Sequence, residues 1–292
     1  MKTQILIIIS ISLMTGCQSP GKTVEKRDNE LIFDEGIYVE KFDSTNISEN
    51  RYTANNITYL EGNKLTYDYF YEDLNGKKYK FQEPEGISEF DFRERVKAWA
   101  FVNIDSLTER TIDKVELTVK YGLETMAANN PDYNQTVISY EYVQVNGKRN
   151  FSSLTGVIDN EKNVWIHPPR SKLFRILEIN PLPFIQTPYK IGNMWNWSLE
   201  IGSAWGDERW KTWEGSIKNK YEYEITDKKK INIEIGEIEC YVVQSTARSS
   251  IGQTHLTAYF NKEIGFVKLD YTNIDSTRIA LELIHFEKKK HD

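Results

Sequence analysis

Leu65-Thr66-Tyr67-Asp68-Tyr69-Phe70-Tyr71, then Asn75-Gly76, then Lys78-Tyr79-Lys80-Phe81: this stretch decides the fold class. Large and polar residues alternate on both sides of an Asn-Gly pair. Side chains along a strand point to opposite faces with a period of two. Asn-Gly suits a two-residue turn in which both central residues take positive φ. The stretch therefore predicts an antiparallel hairpin. The pattern returns at residues 138–145, Asn146-Gly147 and residues 148–151. Residues 95–104 (RVKAWAFVNI) and 114–121 (KVELTVKY) alternate as well and are read as strands. For the first of these, a helix started by Ser88 and Asp91 is the competing reading.

Further along, five of the eight prolines fall between Pro168 and Pro188. Within that stretch, residues 171–179 (SKLFRILEI) are the best helix candidate, with Ser171 as cap and Leu173, Phe174 and Leu177 on one apolar face. Pro181 and Pro183 stop it. The C-terminal part reads as a meander, with strands expected at 213–225, 231–235, 238–247, 254–260, 265–271 and 278–286. No repeat of 20 to 50 residues is visible, which disfavours a propeller or solenoid. The fold class is thus mainly β, built of antiparallel meanders with one short helix. A curved open half-barrel is the first architecture and a β-sandwich the alternative.

The N-terminus sets the location. Lys2 precedes the apolar run ILIIISISLM at residues 5–14, which is too short for a membrane span of about 20 residues. It fits a secretory signal. The ending Leu13-Met14-Thr15-Gly16-Cys17 resembles the bacterial lipobox, although Met14 stands where Leu, Val or Ile is more usual. That resemblance implies cleavage before Cys17 and acylation of Cys17, so the lipid bilayer is the first expected partner. Gln18 is not the Asp that often retains such proteins in the inner membrane. The expected location is the outer membrane, facing the periplasm, with the cell surface as the alternative. The expected organisation is a signal at 1–16, a lipidated flexible tether at 17–31 and an N-terminal antiparallel β region at 32–167. A Pro-rich joint with the short helix at 168–188 and the C-terminal meander at 189–286 complete it.

Charge excludes one function class. The 292 residues carry 37 Lys+Arg against 43 Asp+Glu, a formal charge of −6. Nucleic-acid-binding domains usually show a basic excess, so no nucleic-acid partner is expected.

Residues 190–202 (KIGNMWNWSLEIG), with Ala258-Tyr259-Phe260 and Gly265-Phe266-Val267-Lys268-Leu269-Asp270-Tyr271, resemble a family of bacterial envelope proteins of unknown function. The family pairs a G-x-x-W opening strand with an AYF/GFVK hairpin. The resemblance spans residues 189–286 and implies a curved half-barrel similar to periplasmic lipoprotein carriers, with the helix near Ser171 in or over the concave face.

Catalytic signals are thin. His167, His255, His285 and His291 form no metal-binding spacing, so neither metal nor cofactor is expected. There is no G-x-S-x-G elbow, and no enzyme is expected; an envelope hydrolase is the minor alternative. Cys240 lies on the apolar phase of its strand and reads as a buried, inert thiol. One constellation stands out: Trp195, Trp197, Trp205, Trp210 and Trp213 are five of the seven tryptophans. Trp195 and Trp197 share a strand face with Leu199 and Ile201. Trp205, Trp210 and Trp213 flank a polar loop, where Trp205 and Trp210 are expected to be more exposed. Such rings suit an apolar or glycan ligand or a protein partner. Two functions follow from this: a non-catalytic lipoprotein that binds or carries such a ligand on a curved sheet, or a scaffold lipoprotein docked on an envelope protein complex.

Overall fold

The computed structural model describes residues 30–41, 55–85, 97–120 and 135–289. Strands β1 (Leu31–Asp34) and β2 (Ile37–Glu40) form a hairpin by themselves. Fourteen further strands make one sheet in which every pairing is antiparallel. The first half supplies β3 (Lys64–Glu72), β4 (Lys78–Gln82), β5 (Ala100–Asn103), β6 (Ile112–Val119), β7 (Thr136–Gln144), β8 (Ser152–Asp159) and β9 (Asn163–Ile166). The second half supplies β10 (Phe184–Gln186), β11 (Met194–Gly202), β12 (Ser216–Ile233), β13 (Gly236–Ser249), β14 (Gly252–Asn261), β15 (Gly265–Thr272) and β16 (Arg278–Glu287). Their spatial order is β10-β9-β8-β7-β6-β3-β16-β15-β14-β13-β12-β11, with β4 and β5 branching from β3. The two halves join where β16 pairs with β3, so the molecule is one curved sheet and not a sandwich.

The first hairpin forms as its residues demand. Gly76 takes φ +76°, and the Asp73 carboxylate accepts the N–H groups of Asn75 and Lys77 at 2.9 Å each. At Asn146-Gly147 the turn also forms, with Gly147 at φ +81°. The returning strand, however, starts at Ser152 and not at 148, because only Gln144 and Tyr142 bond across the intervening residues.

Other expectations need correction. The strand expected at 95–104 shrinks to β5, since Lys97 is helical and Ala98 lies in a turn. Ser88 and Asp91 lie outside the described residues, as does Cys17. The strands expected at 213–225 and 231–235 are one strand, β12, running 18 residues with a bulge between Ile225 and Asp227. Lys228-Lys229-Lys230 reads as a break but is paired: Lys228 Nζ lies 2.6 Å from Glu239 and Lys230 Nζ 2.7 Å from Glu237. The tether ends before 31, because Leu31 already pairs with Glu40 and Glu30 bonds Lys41. The helix at 171–179 is a 3₁₀ helix, Lys172–Ile179, and Ser171 makes no side-chain cap. Its start is instead held from the sheet: the Tyr142 hydroxyl accepts the N–H groups of Arg170 and Ser171 at 3.2 Å each.

That 3₁₀ helix fills the concave face. Leu173, Phe174, Ile176, Leu177 and Ile179 are buried, and Leu182 and Phe184 continue the plug. Phe174 packs 4.8 Å from the rings of both Tyr69 and Phe81. Backbone groups buried this way need partners, and inward side chains of the sheet supply them. Asn219 Nδ2 and Thr254 Oγ1 donate to Ile179 O, and the Tyr223 hydroxyl donates to Leu182 O. The Tyr140 hydroxyl donates to His167 O. Much of the tyrosine content serves this purpose, offering apolar bulk with one polar tip.

The sheet curls until its two ends nearly meet. Phe184 on β10 lies 5.7 Å from Trp195 on β11, and Trp165 on β9 lies 5.6 Å from Trp197. The β1–β2 hairpin lies over this seam. Asn163 exchanges two hydrogen bonds with the Tyr38 backbone, at 2.7 and 3.1 Å, and Gln186 donates to Gly36 O. Gly36 has φ +99°, and a Cβ there would stand 3.0 Å from Asn196 O on β11. A side chain at that position would push the hairpin off β11.

Candidate functional site

The five clustered tryptophans separate by environment. Trp195 and Trp197 are paired across strands with Tyr223 and Tyr221, stacking at 5.4 and 5.3 Å. They weld the seam: Trp195 is buried and Trp197 half-buried. Trp210 was expected to be exposed; it is buried. The turn closed by the Asp207–Lys211 bridge carries its ring into the core, where it lines a small cavity with Leu173 and Ile176 of the plug. Trp213 is half-buried and packs against the core. Trp205 stands in the wall of an open cavity.

That cavity, about 670 Å³, lies between the start of the 3₁₀ helix and the turns at residues 203–212. Arg170, Lys172 and Arg175 enter from the helix side, Trp205 and Glu208 from the turn side, and Lys97 from the segment before β5. The plug puts Arg175 there by its own pattern. Leu173, Phe174, Ile176 and Leu177 face the sheet, which leaves Arg175 on the half-exposed side.

Electrostatically the wall is unbalanced. Asp207 is taken up by Arg209, with Nε and Nη2 each 2.7 Å from a carboxylate oxygen. Hydrogen bonds and charge from Arg209 hold the Asp207 carboxyl below its usual range, although burial opposes them. Arg170 has its Nε 3.1 Å from Glu178, whose side chain is 3% exposed. Among the described residues Arg175 forms no ion pair with a carboxylate, and its Nε is buried without a hydrogen-bond partner. Burial, with the neighbouring Arg209, lowers the Arg175 pKa, while Asp207 opposes this. A guanidinium remains charged under such a shift. Both guanidinium groups lie over the indole of Trp205, at 4.5 Å for Arg170 and 5.6 Å for Arg175. Cation–π contact of this kind attracts both cations to one ring.

Composition did not single out these cations. The signal was present in SKLFRILEI, where Arg175 interrupts an otherwise apolar run. Among the described residues, no group of three His, Cys, Asp or Glu is placed to hold a metal ion. No described helix is long and apolar enough to cross a membrane. Cys240 is fully buried and unpaired, and burial pushes its thiol up to about 11, which suits an inert thiol.

No protein family and no curated protein matches the chain. Solved structures align with it. A presumed exported protein with a YmcC-like fold from Bacteroides fragilis covers 80% of this chain and 98% of its own, at 12% identity and a TM-score of 0.43. A presumed lipoprotein from Parabacteroides distasonis covers 79% and 97%, at 9% identity and a TM-score of 0.44. The hypothetical lipoprotein YmcC from Escherichia coli covers 80% and 88%, at 8% identity and a TM-score of 0.33. These likenesses concern the course of the chain and not a ligand or a reaction.

Proposed function

We propose that the protein is a membrane-anchored, non-catalytic envelope lipoprotein whose barrel-like body binds a small ligand at its mouth. One observation supports this above the others: residues 172–184 occupy the concave face, and an open cavity of about 670 Å³ remains beside Trp205. Small-molecule sites commonly measure roughly 300–1,000 Å³. The ligand expected along the curved sheet therefore moves to the rim, and Trp205 replaces the strand tryptophans as its contact. In this reading an acylated Cys17 holds the body at the periplasmic side of the outer membrane.

A docking role is the second reading. It is favoured by Ile191 and Met194, 56% and 68% exposed beside the unpaired edge of β11.

The test is native mass spectrometry of the full-length protein from its host, beside Ala204→Trp and Thr212→Trp. Both positions line the cavity and are exposed, so the larger ring fills space without disturbing the core. The parent should carry a bound small molecule that both variants lack. An empty parent, or variants loaded as fully as the parent, would overturn the binding reading.

A further inference from the structure

The cavity beside Trp205 differs from an ordinary apolar pocket in one respect: four cationic side chains, Lys97, Arg170, Lys172 and Arg175, stand in its wall. Arg175 Nε is buried without a partner. Asp207, which also lines the cavity, has both carboxylate oxygens bonded to Arg209. An oxyanion in the cavity would meet this concentration of positive charge in a partly water-excluded wall. Guanidinium groups present paired N–H donors that match carboxylate and phosphate oxygens in bidentate fashion. Trp205 holds Arg170 and Arg175 over one ring before any ligand arrives. The geometry is set in advance, so little ordering is needed on binding.

The rest of the rim has another chemistry. Ser171 at the helix start and Thr212 on the turn side offer hydroxyl groups, and Glu208 is exposed, with its carboxylate able to accept hydrogen bonds. A bare anion has no donor for Glu208. A dense anionic bilayer surface would meet Glu208 and a body with a formal charge of −6 for the whole chain. A solute with one oxyanion and several hydroxyl groups satisfies both walls at once.

Building on the binding reading above, we infer that the cavity takes an oxyanion-bearing polyol, meaning a sugar acid or a sugar phosphate. Arg175 and Arg170 clamp the oxyanion, and Trp205 acts as the positioning residue that holds them. The body of the sugar lies toward Glu208, Ser171 and Thr212.

The experiment is calorimetric titration of the full-length lipidated protein in neutral detergent. The probes are glucuronate, glucose 6-phosphate, glucose and inorganic phosphate, added to the parent, Arg175→Gln, Arg175→Lys and Trp205→Leu. Glucuronate or glucose 6-phosphate should bind saturably and at least tenfold more tightly than glucose or inorganic phosphate. Arg175→Gln should weaken that binding at least tenfold, Arg175→Lys less so. Trp205→Leu should weaken it while leaving the melting temperature within a few degrees. Glucose binding as tightly as glucuronate would overturn the anion clamp, and inorganic phosphate binding as tightly would overturn the polyol. Parent-like binding by Arg175→Gln would overturn the role of that residue. If neither sugar anion binds, the ligand class fails. The pocket reading then still stands if a co-purified molecule is lost in Ala204→Trp, and falls if none is found.

Discussion

Asp159 shows how one side chain can tie distant parts of this chain together and leave a pH signature. It sits at the end of β8, 3% exposed, and its Oδ2 accepts the N–H groups of Ile57, Thr58 and Tyr59 at 3.0, 2.7 and 2.6 Å. Its Oδ1 has no partner. Burial raises its pKa to about 6, against the lowering effect of those three donors. A carboxyl whose folded pKa lies above its unfolded value favours the fold when protonated. That contribution is complete below about pH 4 and is lost as pH rises through 6. The loss amounts to roughly 3 kcal/mol for a rise of about two units. Asp159→Asn keeps an oxygen for the three donors and removes the ionisation. In urea unfolding the variant should gain on the parent between pH 4 and pH 8. A parent–variant difference that stays constant across that range would show that Asp159 does not titrate in the fold. Nothing in the local sequence announced this residue, because its partners lie about 100 positions away.

At the scale of elements, legibility followed the range of the forces involved. The Asn75-Gly76 turn is a local matter of positive φ, and the strands from β13 to β16 follow from period-two alternation; both could be read. The long β12 could not, because Lys228 and Lys230 are acceptable strand residues only when Glu239 and Glu237 face them across the ladder. The 3₁₀ form of residues 172–179 was hidden for the same reason, since its last carbonyl, Ile179 O, is served by Asn219 and Thr254 from remote strands. At the candidate site, Trp205 was legible as a ring beside a loop, but the missing partner of Arg175 is a property of three dimensions. The β1–β2 hairpin was likewise invisible as a clasp. Its hold depends on Asn163, which is 0% exposed and joined to the Tyr38 backbone from both amide atoms. Asn163→Ala should leave the Tyr38 N–H short of a partner, since Asn160 also donates to Tyr38 O, and cost about 1–3 kcal/mol. Hydrogen exchange should then quicken in residues 31–40 while β13–β15 stay protected. Unchanged exchange in the hairpin would mean that the seam holds without it.

For the whole molecule, the question is what keeps an acidic body at a membrane. A formal charge of −6 gives no attraction to anionic headgroups, and loss of residues 1–16 would remove Lys2 but no acid, leaving the body more acidic. The described strands alternate around a filled interior, and the apolar side chains of the plug are spent on that interior and not on a lipid surface. In the proposed function retention would fall on an acylated Cys17, where several acyl chains would add roughly 0.8 kcal/mol per buried CH₂. A tether of about a dozen residues would give the body clearance of roughly 20 Å. Cys240 cannot replace Cys17 as the acylated group, being fully buried inside β13. Cys17→Ala should thus abolish incorporation of labelled palmitate and leave a precursor that still carries its apolar leader. Fusing residues 18–292 to a cleavable signal without a lipobox should release the body to the soluble periplasmic fraction with its melting temperature unchanged. Label entering the Cys17→Ala protein would remove the lipobox reading, and a soluble fusion that stays with washed membranes would mean that the folded body has a membrane partner of its own.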